Sequence, residues 1–215
     1  SLKAFNTLAV DVQAEVFIRI TEAEQIPAAV AYAEQHRLPW LVLGGGSNVV
    51  LTENFQGVVI YIQLTGIHFE KQEQHTLVSA AAGENWHQLV QHCLHQGYYG
   101  LENLSLIPGS VGAAPIQNIG AYGVELSQVF HSLTGWDCQL QQWRTLSHND
   151  CQFGYRDSVF KQQLKNQFII SVVTLRLQHK PAIDTSYAAL KSELQRKHLS
   201  QPTPQQVADT VVSIR

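Results

Sequence analysis

The sequence predicts a mixed α+β domain, and three observations carry that prediction. Ala14 to Ile20 alternates with Val16, Ile18 and Ile20 on one face, while Phe168 to Leu177 is a long apolar run, so both read as strands. Apolar residues also recur at helical spacing, at Ile26, Ala29, Val30 and Ala33 and again at Trp86, Leu89, Val90, Cys93 and Leu94. These pieces do not follow one another in a regular strand–helix–strand alternation, which excludes a simple parallel α/β repeat.

In chain order, Thr21 and Glu24 have capping-box spacing ahead of the first helix, with Pro27 blurring its start. Trp40 to Leu43 is a short buried strand that feeds a glycine-rich loop. Val58 to Ile62 is a further strand, after a turn at Gly57. A second unit begins near Thr65-Gly66, where His68 to Glu70 and Thr76 to Ala80 can pair as a hairpin. The second helix is stopped by Gly97. Strand-like pieces at Val129 to Asp137 and Gln139 to Leu146 precede the long apolar strand. The expected division is therefore 1–64, 65–179 and a different final segment, 180–215. That segment is polar and loop-like, with a short helix from Tyr187 to Leu194. Thr203-Pro204-Gln205-Gln206 then opens a last helix with an N-cap, proline at its first position and glutamine three residues after the cap. Val207, Val211, Val212 and Ile214 give it an apolar side. It reaches Arg215 without a C-cap signal, so the pattern suggests further chain downstream.

Composition narrows the function classes. At 215 residues, 45% hydrophobic and 14% charged, the chain has ample core for one domain or two small ones. A net charge of −3 argues against a nucleic-acid surface, which is strongly basic. No apolar run approaches a membrane span, and no basic stretch followed by an apolar one opens the chain. Cys93, Cys138 and Cys151 are odd in number and lack CxxC spacing, which fits a reducing compartment, the cytoplasm by default.

The most informative segment runs from Pro108 to Gly123, with glycines at 109, 112, 120 and 123 and prolines at 108 and 115. This composition excludes a helix or a plain strand. It lets backbone approach a bulky ligand and lets successive N–H groups turn toward one anion. Gly44-Gly45-Gly46-Ser47-Asn48 has the same character. Two anion cradles in one domain point to a large phosphorylated cofactor. The first loop lacks the third glycine of the dinucleotide fingerprint and the Gly-Lys-Ser/Thr of a phosphate-binding Walker loop. Taken singly, it is equally well explained as a structural turn.

The motifs Gly44-Gly45-Gly46-Ser47-Asn48-Val49, then Pro108-Gly109-Ser110-Val111-Gly112 continuing to Asn118-Ile119-Gly120-Ala121-Tyr122-Gly123, then Phe153-Gly154-Tyr155-Arg156-Asp157-Ser158, stand in a known order. In that order they resemble the UDP-N-acetylenolpyruvoylglucosamine reductase (MurB) family, and the resemblance extends from Leu2 to the last helix. It implies an FAD-binding fold of the vanillyl-alcohol-oxidase (PCMH) type, with non-covalent FAD held between two subdomains, 1–64 and 65–179. It implies NADPH as reductant, a UDP-sugar substrate, a monomer, and a role in peptidoglycan precursor synthesis. A third domain would carry a proton-donating serine and a catalytic glutamate, beyond the residues present here.

Carried over residue by residue, the resemblance makes Arg156 the catalytic residue, gripping a carboxylate through two parallel N–H bonds. Gly44, Gly45, Gly46, Ser47, Asn48 and Val49 would cradle one side of the diphosphate. Pro108, Gly109, Ser110, Val111, Gly112, Asn118, Ile119, Gly120 and Ala121 would line the diphosphate and flavin ring. The expected backbone donors are Gly109 to Gly112 and Gly120 to Ala121. Asn118 either offers its amide to the cofactor or holds the loop through an Asx turn. Tyr122 and Tyr155 either face the substrate or are core aromatics with a bonded hydroxyl. Tyr187 resembles the substrate-covering tyrosine of the family's longer subtype. Outside the motifs, His87, His92 and His95 lack a completing carboxylate for a metal site, and no cysteine is placed for catalysis or flavin attachment. Two rivals remain: another flavin oxidoreductase of the same fold, and a non-catalytic flavin-binding module.

Overall fold

The computed structural model describes residues 1–215. Two main sheets, a two-stranded ribbon and five α-helices, two of them at the end of the chain, make up the molecule. The first sheet comprises β1 (Ala14–Ile20), β2 (Trp40–Leu43) and β3 (Phe55–Ile62) in the order β1-β3-β2, all parallel. As the central strand, β3 buries Val58, Val59 and Ile60 completely, one face against α1 (Gln25–Gln35) and the other against an aromatic group. That group is Phe5, Phe17 and Tyr61, with Phe5 4.8 Å from Phe17 and 5.0 Å from Tyr61 between ring centres.

Two sequence expectations fail in this sheet. Gly57 lies inside β3, because the strand is paired from Phe55 onward: the Phe55 N–H donates to Gln13 and the Val58 N–H to Pro39. Thr21 and Glu24 form no capping box. The side-chain oxygen of Gln25 reaches back instead and accepts from the N–H groups of Thr21 (2.9 Å) and Glu22 (3.2 Å).

The second sheet has five strands, β4 (Ile67–Lys71), β5 (His75–Ala81), β8 (Phe130–Asp137), β9 (Gln142–Ser147) and β10 (Phe168–Gln178), in the order β4-β5-β10-β8-β9, all antiparallel. The long apolar strand β10 is its centre. Helix α2 (Trp86–His95) buries the five residues of its predicted stripe; Asn85 caps it by accepting from the Gln88 N–H. Trp86 donates its indole N–H to the Leu104 carbonyl at 2.9 Å, which satisfies the polar atom of a fully buried side chain. One continuous core joins α1, β3, β5, α2, β8 and β10.

Residues 108–123 are more regular than their composition suggests. Val111–Gln117 winds as a 3₁₀ segment with Pro115 inside it, and β6 (Gly120–Ala121) pairs with β7 (Val124–Glu125) as a tight ribbon. A short helix, α3 (His148–Cys151), follows β9. At the end of the chain α4 (Ala188–Arg196) packs on α5 (Pro204–Ile214) through Leu190, Leu194, Val207 and Val211. The predicted box at Thr203 and Gln206 forms; Val212, however, faces outward.

Asp137 ends β8 with a buried carboxyl. Burial opposes its charge, but the Leu140 N–H, the Arg144 guanidinium at 2.7 Å and the Gln139 N–H outweigh burial and hold it below its ordinary value of 3.8. A depressed folded value adds stability above the unfolded value that is lost as pH falls through the folded one. Asp137→Asn is therefore expected to lower unfolding free energy at pH 7 by about 1 kcal/mol. In urea titrations the deficit should shrink as pH falls below the ordinary value of 3.8 and through the lower native one.

Candidate functional site

Both glycine loops emerge at the seam between the two sheets. The first, 44–49, leaves the end of β2. The second is fixed to the turn before α2: the Val111 N–H donates to Glu84, the Gly112 N–H to Ala82, and the Trp86 N–H to Gly109. The loops meet backbone to backbone. A Cβ on Gly45 would lie 3.1 Å from the Gly109 Cα, tighter than ordinary contact, and one on Gly44 would strike the Ser110 hydroxyl. Gly46 has φ 63 and is roofed by the Phe5 carbonyl, so it too admits no side chain.

The donor inventory separates the expected cradle into two parts. None of the N–H groups of residues 44–49 donates to a protein acceptor, and neither do those of Gly109 and Ser110. This run of open N–H groups around one seam, most of them at partly or fully exposed residues, offers free donors to an anion. Val111 and Gly112 are corrected as donors, because their N–H groups are spent on Glu84 and Ala82. Gly120 and Ala121 belong to the β6–β7 ribbon.

Two contiguous cavities flank the seam and share Val42, Gly44, Ser110, Ala113 and Ile116. One is an apolar slot lined by Trp40, Ile62, Phe160, Leu164, Phe168 and Ile170. The other is lined by residues 44–49 and by Pro108, Gly109 and Ile119. Neither contains histidine or cysteine. Burial pushes the Cys93 and Cys151 thiols up to about 12 and Cys138 up to about 11, so all three stay neutral. His87 accepts from the Leu106 N–H, and His92 lies beside Phe69; neither joins a ligand group.

A third hollow gathers Tyr122, Gly123, Glu125, Tyr155, Arg156 and Tyr187. Tyr122 and Gly123 form the two-residue turn of the β6–β7 ribbon, with φ 48 and 85 as a tight hairpin of this type demands. Tyr187 meets Tyr122 edge to face at 5.5 Å. Tyr155 is 84% exposed, which overturns its reading as a core aromatic. Arg156, at φ 52, sits in a two-residue turn closed by paired bonds between Gly154 and Asp157. Its guanidinium donates to the Gly120 carbonyl at 2.7 Å and lies 6.0 Å from the Tyr155 ring centre.

Asn118 resolves in favour of holding the loop. Its Nδ2 donates to the Glu125 carboxylate (2.8 Å) and the Gly154 carbonyl (3.0 Å), and its Oδ1 accepts from the Ser127 N–H. No amide group remains for a cofactor, which corrects its assignment as a binding residue. Sequence reasoning missed Asn103. It is buried and donates at 2.9 Å to both Tyr122 and Asp184, tying the tyrosine turn to the segment before Tyr187. It also missed Arg215, whose guanidinium lies 5.6 Å from the Tyr122 ring. The hydroxyl and N–H of Ser186 hold the Asp184 carboxyl below its ordinary range.

The family described as FAD binding domain matches residues 14–142. A UDP-N-acetylenolpyruvoylglucosamine reductase of Pseudomonas syringae pv. syringae is 45% identical over 216 aligned residues, spanning all of this chain and 63% of that protein. The chain thus spans less than two thirds of the length of that relative. Among solved structures, the UDP-N-acetylenolpyruvylglucosamine reductase (MurB) of Thermus caldophilus matches with TM-score 0.67 and 26% identity, over 94% of this chain and 69% of that one. A 6-hydroxy-D-nicotine oxidase of Arthrobacter nicotinovorans matches with TM-score 0.60 and 18% identity, over 78% and 37%. The expected FAD-binding fold of the vanillyl-alcohol-oxidase type is thereby borne out.

Gly46→Ala places a side chain at positive φ under the Phe5 carbonyl, and a loss of more than about 1 kcal/mol in thermal or denaturant unfolding is expected.

Proposed function

The chain belongs to the FAD-binding domain family, and from that membership together with its likeness to the reductase relatives we propose that it is the flavin-holding part of an NADPH-dependent UDP-N-acetylenolpyruvoylglucosamine reductase of peptidoglycan precursor synthesis. The open N–H groups of residues 44–49, Gly109 and Ser110 carry the reading. They offer the donors a diphosphate needs, at a seam where a Cβ on Gly45 would press on the Gly109 backbone. The apolar slot on one side suits an adenine ring, and the tyrosine and arginine hollow on the other suits the substrate.

In this reading residues 1–64 and 65–179 hold FAD between them without a covalent bond, since neither cavity offers histidine or cysteine. Residues 180–215 begin the substrate-binding region. The protein works as a monomer in the cytoplasm on a UDP-sugar, with no nucleic-acid or membrane partner; no helix is long and apolar enough to cross a membrane.

FAD, when bound, supplies hydride transfer from NADPH to the enolpyruvyl double bond. This chain's residues supply the electrostatics. Hydride addition at the methylene carbon leaves negative charge beside the substrate carboxylate, and Arg156 is the fixed cation that receives it. One of its N–H groups is held by the Gly120 carbonyl, and the remaining ones face the carboxylate. Tyr122, Tyr155 and Tyr187 wall the hollow, and Asn103 keeps Tyr122 and the Tyr187 segment together. In this reading the proton-donating serine and the catalytic glutamate that the resemblance implies would lie outside the residues of this chain.

Gly45→Val is expected to weaken FAD binding at least about tenfold, and to lower the melting temperature of the FAD-free protein by displacing the Gly109 backbone. Flavin fluorescence titration and calorimetry measure the two. In a protein of the relatives' length, Arg156→Ala should keep FAD and its bleaching by NADPH. Reoxidation by the enolpyruvyl UDP-sugar should slow by about 100-fold or more. Normal reoxidation in that variant would defeat the reading. Reoxidation by other acceptors but not by the UDP-sugar would point to a different flavin oxidoreductase of this fold.

A further inference from the structure

Asn118 is the buried hub of the Arg156 end of the site. It is 1% exposed, holds φ 43, and makes three hydrogen bonds to two separate stretches of chain, residues 125–127 and Gly154. One of them, to the Gly154 carbonyl, grips the base of the turn that carries Tyr155 and Arg156. The other end of that turn is held from the same segment: Arg156 reaches the Gly120 carbonyl, and the Ser158 hydroxyl donates to Ile116 at 2.6 Å. Residues 154–158 lie outside every helix and strand. Their place is therefore set largely by residues 116–120, with two outside tethers, from the Lys161 ammonium to the Arg156 carbonyl and from the Gln162 amide to the Asp157 carboxylate.

We propose that Asn118 is a positioning residue for Arg156, locking the Arg156 turn to the loop that lines the cofactor cavity. The inference rests on the role given to Arg156 above. The chemistry needs a short side chain with two N–H donors and one acceptor in a single plane, which asparagine alone supplies at this reach. Aspartate keeps the bond from Ser127 but loses both donors and sets its charge against Glu125. Alanine loses all three bonds and leaves the Gly154 carbonyl and Glu125 without this partner. Because catalysis demands that a charge be held within a fraction of an ångström, a loosened turn costs rate before it costs binding.

Amide hydrogen exchange of this chain reads the lock directly. In Asn118→Ala the paired N–H groups of Gly154 and Asp157 should exchange at least about tenfold faster, while β8 and β10 keep their protection. Asn118→Asp should show the same loosening at pH 8 and partial recovery toward pH 5, as the new carboxyl shares a proton with Glu125. Arg156, Asp157 and Lys161, the other charged groups around the turn, are present in both variants, so the alanine variant should not recover. In the FAD-loaded protein of the relatives' length, both variants should lower kcat for reoxidation by about 100-fold, with FAD affinity within about threefold of the parent. Unchanged exchange at 154–157, or a rate loss that only follows loss of FAD or of fold, would overturn the inference. A normal Asn118 variant beside an inactive Arg156 variant sinks the lock alone. Normal rates in both would sink the role of Arg156 itself.

Discussion

The close meeting of two backbones, at Gly45 and Gly109, is the constraint on which the rest of this structure depends. A Cβ on Gly45 would press on the Gly109 Cα at 3.1 Å, so glycine here lets the loops of the parallel and antiparallel sheets meet at one seam. Each loop is fixed from its own side. Residues 44–49 are carried by β2 and roofed by Phe5, and residues 109–112 are bonded into the turn before α2. A shift of either sheet would open the seam, and the shared core beneath it opposes such a shift.

The seam divides the polar atoms of the two loops by task. Val111, Gly112 and Asn118 spend theirs on the protein and set the shape; residues 44–49, Gly109 and Ser110 keep theirs open. A backbone held rigid by one set can present the other without rearrangement, which is the condition for binding an anion at low entropic cost. The same logic extends outward through two asparagines. Asn103 joins the tyrosine turn to the segment before Tyr187, and Asn118 joins the cofactor loop to the arginine turn. A hollow built from loops thus inherits the rigidity of the sheets.

How much of this was legible in the sequence depended on the range of the forces involved. Trp40–Leu43, the stripe of α2 and the Thr203–Gln206 box are local patterns, and each forms, although only Leu43 of the first is buried. The glycine motifs located the cavities for the same reason, since glycine marks backbone that must stay bare. Gly57 misled because only the neighbours of β3, distant in sequence, make it a strand residue. Thr21 and Glu24 misled because Gln25 competes for the same N–H groups. The partners of Asn118 and Asn103 lie up to 36 and 81 residues away, so no local pattern shows which atoms they satisfy. Which N–H groups stay open is likewise a property of the fold.

The most direct test follows the backbone amides themselves during titration with FAD. Proton–nitrogen spectra should show the amides of residues 44–49, Gly109 and Ser110 moving downfield together as the cofactor is added, with Val111 and Gly112 shifting far less. FAD that binds while those open amides stay unmoved would contradict the account.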